Sequence, residues 1–228
     1  MTDTNEKNCR LPIEALLLVG GQSIRMGRKK QFLSWQGFPM WLYVAKKLAC
    51  FTQRVHIVGF PEGEKFPEND GFNFIEDRLC TGPLGGLMTG LDHVNTDYAL
   101  LAGCDMPFIS ESAASFLLSI SEKMDVVIPR TIGGLNPLFS LYSTNCLPAT
   151  HKAISAGLFS IRSIFSEVSV KEYDARNSDM DWEKILFNIN VPQDYNFAVD
   201  NSDSGSFNTR SVFFKYALSK SDLTGCIS

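Results

Sequence analysis

The densest chemistry in the sequence lies in residues 18–30, Leu18-Val19-Gly20-Gly21-Gln22-Ser23-Ile24-Arg25-Met26-Gly27-Arg28-Lys29-Lys30. Three glycines let a backbone turn sharply and bring its amides close to an anion. Arg25, Arg28, Lys29 and Lys30 crowd positive charge into that turn, in a chain whose formal net charge is −4. Amides plus cations are what a triphosphate requires. The loop is neither of the two commonest phosphate motifs: Gly27 is followed by Arg28 rather than by Lys-Ser/Thr, and no G-x-G-x-x-G is present. The plain alternative is a solvated basic turn between a strand and a helix.

Two further clusters carry carboxylates. Asp105, in Cys104-Asp105-Met106-Pro107, follows an apolar run and suits magnesium, which takes one or two carboxylates and completes its shell with water and phosphate oxygens. An ordinary turn or capping aspartate would look the same. Glu76-Asp77 precedes Gly82-Pro83-Leu84-Gly85-Gly86-Leu87. A carboxylate there can accept two donors from a guanine edge or a ribose. The glycines would let a helix start lie against base or sugar, although close packing on a sheet explains them equally. Asn136-Pro137 and Asn188-Ile189-Asn190 are weaker, since turns use asparagine constantly. The three histidines show no base or ligand pattern, and Trp35 and Trp182 read as packing residues.

These residues must be held by something regular. Residues 13–19 form a short apolar run ending at glycines, which reads as a buried parallel strand. Pro39 opens a helical pattern with apolar residues at three- and four-residue spacing and with Lys46 and Lys47 toward the other side. Strands are expected at 55–59, 72–75, 98–102, 125–129, 138–142 and 187–189. Helices are expected at 84–93, after Ser110 as cap, around 146–156 and 160–165, and from Pro192. Alternating strands and helices indicate an α/β sandwich with a mainly parallel sheet, whose ligands sit at the carboxyl ends of strands. Each candidate cluster falls just after a strand.

The bulk composition bounds the rest. The 228 residues, 44% hydrophobic and 20% charged, suit a globular chain that folds without disulfides or structural metal. Mild acidity argues against a nucleic-acid partner. The six cysteines are scattered with no C-x-x-C pair, residues 1–10 are polar, and no apolar run reaches the ~20 residues that span a bilayer. A cytoplasmic protein with reduced thiols and no membrane partner is expected. After Asp200 the composition turns to serine, asparagine and aspartate, so residues 1–200 are read as the main domain and 201–228 as a polar linker with a short tail.

Taken together the chain resembles the molybdenum cofactor guanylyltransferase family, within the nucleotidyltransferases that share a Rossmann-like fold. The family pattern L-x-G-G-x-S-x-R-M-G-x-x-K is met from Leu18 through Lys30, G-P-L-x-G by Gly82 to Gly86, and C-D-x-P by Cys104 to Pro107. Asn136 to Tyr142 and Asn188 to Pro192 match two further segments, in family order. In place of the family's asparagine-containing stretch after the second strand stands Gly59-Phe60-Pro61. The resemblance implies a three-layer α/β/α sandwich with a Rossmann-like nucleotidyltransferase sheet, and transfer of GMP from GTP onto the terminal phosphate of molybdopterin. By resemblance Leu18, Gly20 and Gly21 line the nucleotide site, Lys30 neutralises the phosphates, Asp77 contacts the guanosine, Asp105 binds Mg2+, and Asn188 and Asn190 lie on the acceptor side. Arg25 is added here as a clamp on the leaving phosphates. Molybdoenzymes or their chaperones stand as further candidate partners. A cytidylyl- or sugar-phosphate nucleotidyltransferase, or a non-catalytic nucleotide-binding module, would use the same loop and Asp105.

Overall fold

The computed structural model describes residues 10–20, 30–61, 71–77, 79 and 81–200. Strand β1, Glu14–Leu18, is the buried run expected from the sequence. A two-residue antiparallel pair, β2 (Ser34–Trp35) and β3 (Phe38–Pro39), leads into helix α1, Met40–Phe51, with Pro39 at its cap. Then come β4 (Val55–Val58), β5 (Asn73–Ile75), α2 (Pro83–Leu91) and β6 (Tyr98–Gly103). Helix α3, Glu111–Ser119, starts where the Ser110 hydroxyl accepts the Ala113 amide at 3.3 Å. The chain continues through β7 (Val126–Thr131), β8 (Gly134–Leu135), β9 (Phe139–Ser143), α4 (Leu147–Ser155), β10 (Val170–Asp174) and a single helical turn, α5 (Trp182–Ile185).

The main sheet runs β10-β7-β9-β6-β1-β4-β5, with β8 paired to β7. Strands β5, β4, β1 and β6 are mutually parallel, whereas β9 runs antiparallel to both of its neighbours. The chain therefore builds outward from β1 through β4 to β5 and then returns to lay β6 on the other side of β1. That reversal leaves a crevice at the carboxyl ends of β1 and β6, the usual place for a ligand in an open α/β sheet.

Alternate residues of β1 face opposite layers, as the strand period demands. Leu16 joins Leu84, Leu87 and Leu91 of α2, Ala149 and Ala153 of α4, and Tyr142 of β9 in one core. Helices cover the other face as well: Trp41 of α1 lies edge-on to Phe74 at 6.1 Å, and Phe116 of α3 tilts against Tyr173 at 4.6 Å. Helix α2 lies very close to β1. A Cβ on Gly86 would meet Leu18 Cδ2 at 2.9 Å and one on Gly90 would meet Leu16 Cδ1 at 2.7 Å. For Gly86 the packing reading holds, and Gly90, which the sequence did not single out, packs in the same way.

One expectation fails. No strand forms at 187–189: Asp181 caps Lys184 at 3.0 Å and turns residues 182–185 into a helix, after which the chain runs on without a sheet partner. The strand lies earlier, at Val170–Asp174, where a polar edge sequence concealed it. The side of α1 that carries Lys46 and Lys47 is itself covered. Lys46 is only 7% exposed, with its ammonium over the Phe38 ring, and Lys47 reaches beneath the loop after β6.

Contacts divide the chain after Asn190 into two units. In the second, helix α6 spans Pro192–Asp200, and the Asp194 carboxylate accepts the Val191 amide at 2.9 Å. No helix among the described residues is long and apolar enough to cross a membrane.

Candidate nucleotide site

The sheet is extended past its formal strand ends by single hydrogen bonds, and these gather the candidate residues. The Val19 amide donates to Val58 O at 3.0 Å, and Gly59 to Ile75 O at 3.1 Å. On the other side the Cys104 amide donates to Leu18 O at 3.2 Å, and Gly103 to Leu138 O at 3.1 Å. Leu18, Gly20, Gly59, Asp77 and Asp105 therefore all lie along one end of the sheet.

Gly20 and Gly59 are in close apposition. A Cβ on Gly20 would come 3.0 Å from Gly59 O, and Gly59 takes a φ of +73°, a conformation side chains rarely adopt. A Cβ on Gly59 would lie 3.5 Å from Asp77 Cβ, so the three residues form one continuous wall. The Asp77 carboxylate, half-buried, accepts the Leu79 amide at 3.3 Å and is held in its turn. Helix α2 begins at this end of the sheet and directs the positive end of its dipole there.

Asp105 is 7% exposed. Its backbone carbonyl accepts the Ile189 amide at 2.9 Å, which brings the Asn188-Ile189-Asn190 segment onto the same turn. Asn190 is exposed. Asn188 Oδ1 and Thr81 Oγ1 are buried with no hydrogen-bond partner among the described residues. Asn136 has the turn role: its Oδ1 accepts the Leu138 amide at 3.1 Å, and its carbonyl accepts the Ser140 hydroxyl at 2.7 Å.

Gly21 and Arg25 fall outside the described residues, and of Lys30 only the backbone is described, at the start of the 3-10 turn Lys30–Phe32. Phe32 in that turn meets Phe60 edge-on at 5.9 Å, and Phe60 meets Trp41 at 5.0 Å. The exit of the glycine-rich loop is thus anchored on the aromatic cluster beside Gly59.

Sequence reasoning missed Lys47. Its Nζ donates to Pro107 O at 2.9 Å, bracing the turn that carries Asp105. Burial, aided by the like charge of Lys184, pulls its pKa from 10.5 down to about 7. Two consecutive lysines on an amphipathic helix give no hint of this, because what covers them is distant in sequence. Also missed was His56, which is fully buried, with Nε2 on Glu14 at 2.8 Å and Nδ1 on Asn73 at 2.9 Å.

Among the described residues no three of His, Cys, Asp and Glu cluster as a metal cage would need. The described cysteines, Cys50, Cys104 and Cys146, form no disulfide. Asp105 offers hard oxygen donors at a crevice, which suits a cation that shares its shell with phosphates rather than one held by protein alone. A cleft of about 580 Å³ runs from Glu76 and Leu79 between β5 and α2 down to Asn73 and His93.

The profile of the MobA-like NTP transferase domain matches residues 15–172. A relative in Nostoc sp., named as a probable molybdenum cofactor guanylyltransferase, is 32% identical over 188 residues, covering 80% of this chain and 88% of its own. One of the same name in Natranaerobius thermophilus is 31% identical and covers 80% and 92%. The crystal structure of molybdopterin-guanine dinucleotide biosynthesis protein A from Archaeoglobus fulgidus superimposes with a TM-score of 0.73 at 25% identity, covering 85% of this chain and all of that one.

Proposed function

The chain belongs to the MobA-like NTP transferase family, and from that premise we propose that it transfers GMP from GTP to the terminal phosphate of molybdopterin, releasing pyrophosphate. The observation that carries this reading is the convergence of Leu18, Gly20, Asp77 and Asp105 on the crevice where strand order reverses. The guanylyl assignment draws on the relatives' names and on the match of Gly82 to Gly86 and of Asn188 to Asn190 to the guanylyltransferase pattern.

In this mechanism a phosphate oxygen of the acceptor attacks the α-phosphorus in line. A bond forms between that oxygen and phosphorus, the bond to the β-phosphate oxygen breaks, and pyrophosphate leaves with the electron pair. The attacking oxygen is already anionic, so no strong general base is needed, and alignment and charge neutralisation supply the rate. Asp77 holds the guanosine against the Gly20–Gly59 wall. Lys30 and Arg25 neutralise the phosphates, with Arg25 on the departing pair. Asp105 would hold Mg2+, and the fit is physical: its carboxylate points into space that a Cβ at Gly103 would fill. That cation, when bound, offsets phosphate charge and orients the α-phosphate.

Asn188 and Asn190 take the acceptor side. The buried, unpartnered Asn188 Oδ1 supports this, because an unmade buried hydrogen bond costs roughly 1–3 kcal/mol and persists where a ligand completes it. A cytoplasmic location, where GTP is abundant, follows from the same reading.

The test is pyrophosphate release with Mg2+, molybdopterin as acceptor, and GTP or CTP in parallel. Release with GTP alone is expected. Release with CTP alone would overturn the base assignment, and none with either nucleotide would overturn the activity.

A further inference from the structure

Gly103 is the last residue of β6, paired in register with Leu18 of β1. Its φ is not among the left-handed values found in this fold, so its backbone suits any residue. A strand interior also disfavours glycine, which loses more conformational freedom than alanine on folding. Glycine in a strand therefore marks a place where something comes too close for a side chain. Here that neighbour is the Asp105 carboxylate. A Cβ on residue 103 would lie 2.6 Å from Asp105 Oδ1, about 0.8 Å short of ordinary contact, whereas Met106 Cγ and Sδ would sit comfortably at 3.6 Å. No other atom ranks among its three nearest neighbours.

From this geometry we infer that Gly103 is a positioning residue for cation binding: the space left by its missing side chain sets the direction of the Asp105 carboxylate. The inference rests on the reading of Asp105 as the cation ligand. Gly103 itself touches neither nucleotide nor metal. A methyl there drives Oδ1 out of its place, and the carboxylate is the part that gives, since it ends a rotatable side chain while Gly103 is paired in the sheet and the Asp105 carbonyl is held by the Ile189 amide. Outer residues that orient a metal ligand typically change metal affinity 10- to 100-fold.

Mn2+ provides a readout independent of turnover, because its free fraction is visible by electron paramagnetic resonance. The full chain is titrated with Mn2+ in the presence of a GTP analogue that cannot be cleaved between the α- and β-phosphorus. Gly103→Ala should weaken Mn2+ binding by about 10- to 100-fold, and Asp105→Ala should lose it. Gly90→Ala, whose Cβ would meet Leu16 Cδ1 at 2.7 Å in the core, should lower the unfolding midpoint and leave Mn2+ affinity alone. An equal loss of affinity in Gly90→Ala would make the effect general and overturn the inference.

Affinity within twofold of the parent in Gly103→Ala, with Asp105→Ala still losing the ion, would overturn the role of Gly103 and leave that of Asp105 standing. Unchanged affinity in Asp105→Ala would remove the reading beneath it. A second measurement needs no metal. Any stability cost of Gly103→Ala should vanish in the Asp105→Ala background, where there is no carboxylate to meet. An equal cost in both backgrounds would place the clash elsewhere and refute the geometry.

Discussion

Lys47→Met should change the sign of its effect on stability between pH 6 and pH 10. The side chain is held where burial lowers its pKa from 10.5 to about 7. That displacement corresponds to a penalty on the charged form on the order of 4–5 kcal/mol. Against it stands the bond from Nζ to Pro107 O at 2.9 Å. Removing that donor leaves a carbonyl unpaired, at about 1–3 kcal/mol.

At pH 6 both folded and unfolded chains carry the ammonium, and the folded chain bears the whole burial penalty. As pH rises through about 7 the folded chain releases the proton while the unfolded chain keeps it up to 10.5, so stability increases across that window. Methionine has similar length and no charge. The variant should therefore be more stable than the parent at pH 6 by roughly 1–4 kcal/mol, and less stable at pH 10, where most of the penalty has gone, by about 2 kcal/mol or less. Denaturant unfolding of both proteins at stepped pH reads this directly, because subtraction removes every other titrating group. Turnover should fall at all pH values, since the turn bearing Asp105 loses its brace. A difference that stays flat from pH 6 to 10 would refute the buried ammonium, and an undiminished turnover would refute the brace.

Asp105→Ala should abolish pyrophosphate release while leaving the unfolding midpoint within a few degrees. A variant that does not fold would remove the basis for a ligand role. Lys30→Ala should lower the rate at least 100-fold, on the order of 3 kcal/mol in the barrier, measured at saturating GTP; a near-normal rate would move the role to Lys29 or Arg28. Burial depresses the His56 pKa below its ordinary 6.5 despite the pull of Glu14, so the unfolded chain protonates first and stability should fall as pH drops below 6.5. Unfolding of His56→Gln should show a flatter profile there. Removal of residues 201–228 should leave steady-state turnover within about twofold, and a large loss would show that this segment belongs to the site.

How much of this was legible in sequence depended on where the cause of each feature lies. β1, β4 and β6 were readable because burial on both faces gives a continuous apolar run. The edge strand β10, Val-Lys-Glu-Tyr-Asp, was not, since its exposed positions are filled with charge and read as loop. The false strand at 187–189 had the right composition, but the Ile189 amide is committed to Asp105 O rather than to a ladder. The periodicity of α1 placed Lys46 and Lys47 outward correctly with respect to the sheet; the β2–β3 pair and the loop after β6 then cover that side. The clusters at Asp77 and Asp105 were legible because strand ends and carboxylates are both local signals. Gly103 looked like any glycine, and its partner is visible only once the turn is built.

The buried polar groups separate what is structural from what is functional. Around His56 every demand is met. With the proton on Nε2, the ring donates to Glu14 at 2.8 Å and accepts from Asn73 at 2.9 Å, while Glu14 also takes the Asn95 amide at 3.2 Å. A burial-lowered pKa favours that same neutral ring. Such a closed network leaves no valence for a substrate and is best understood as fixing the register of β1, β4 and β5. Thr81 Oγ1 and Asn188 Oδ1 present the opposite case: each is buried and unpartnered among the described residues, one just before α2 and one beside the Asp105 turn. Under the proposed reading a bound substrate would complete both bonds, with Asn188 on the acceptor side.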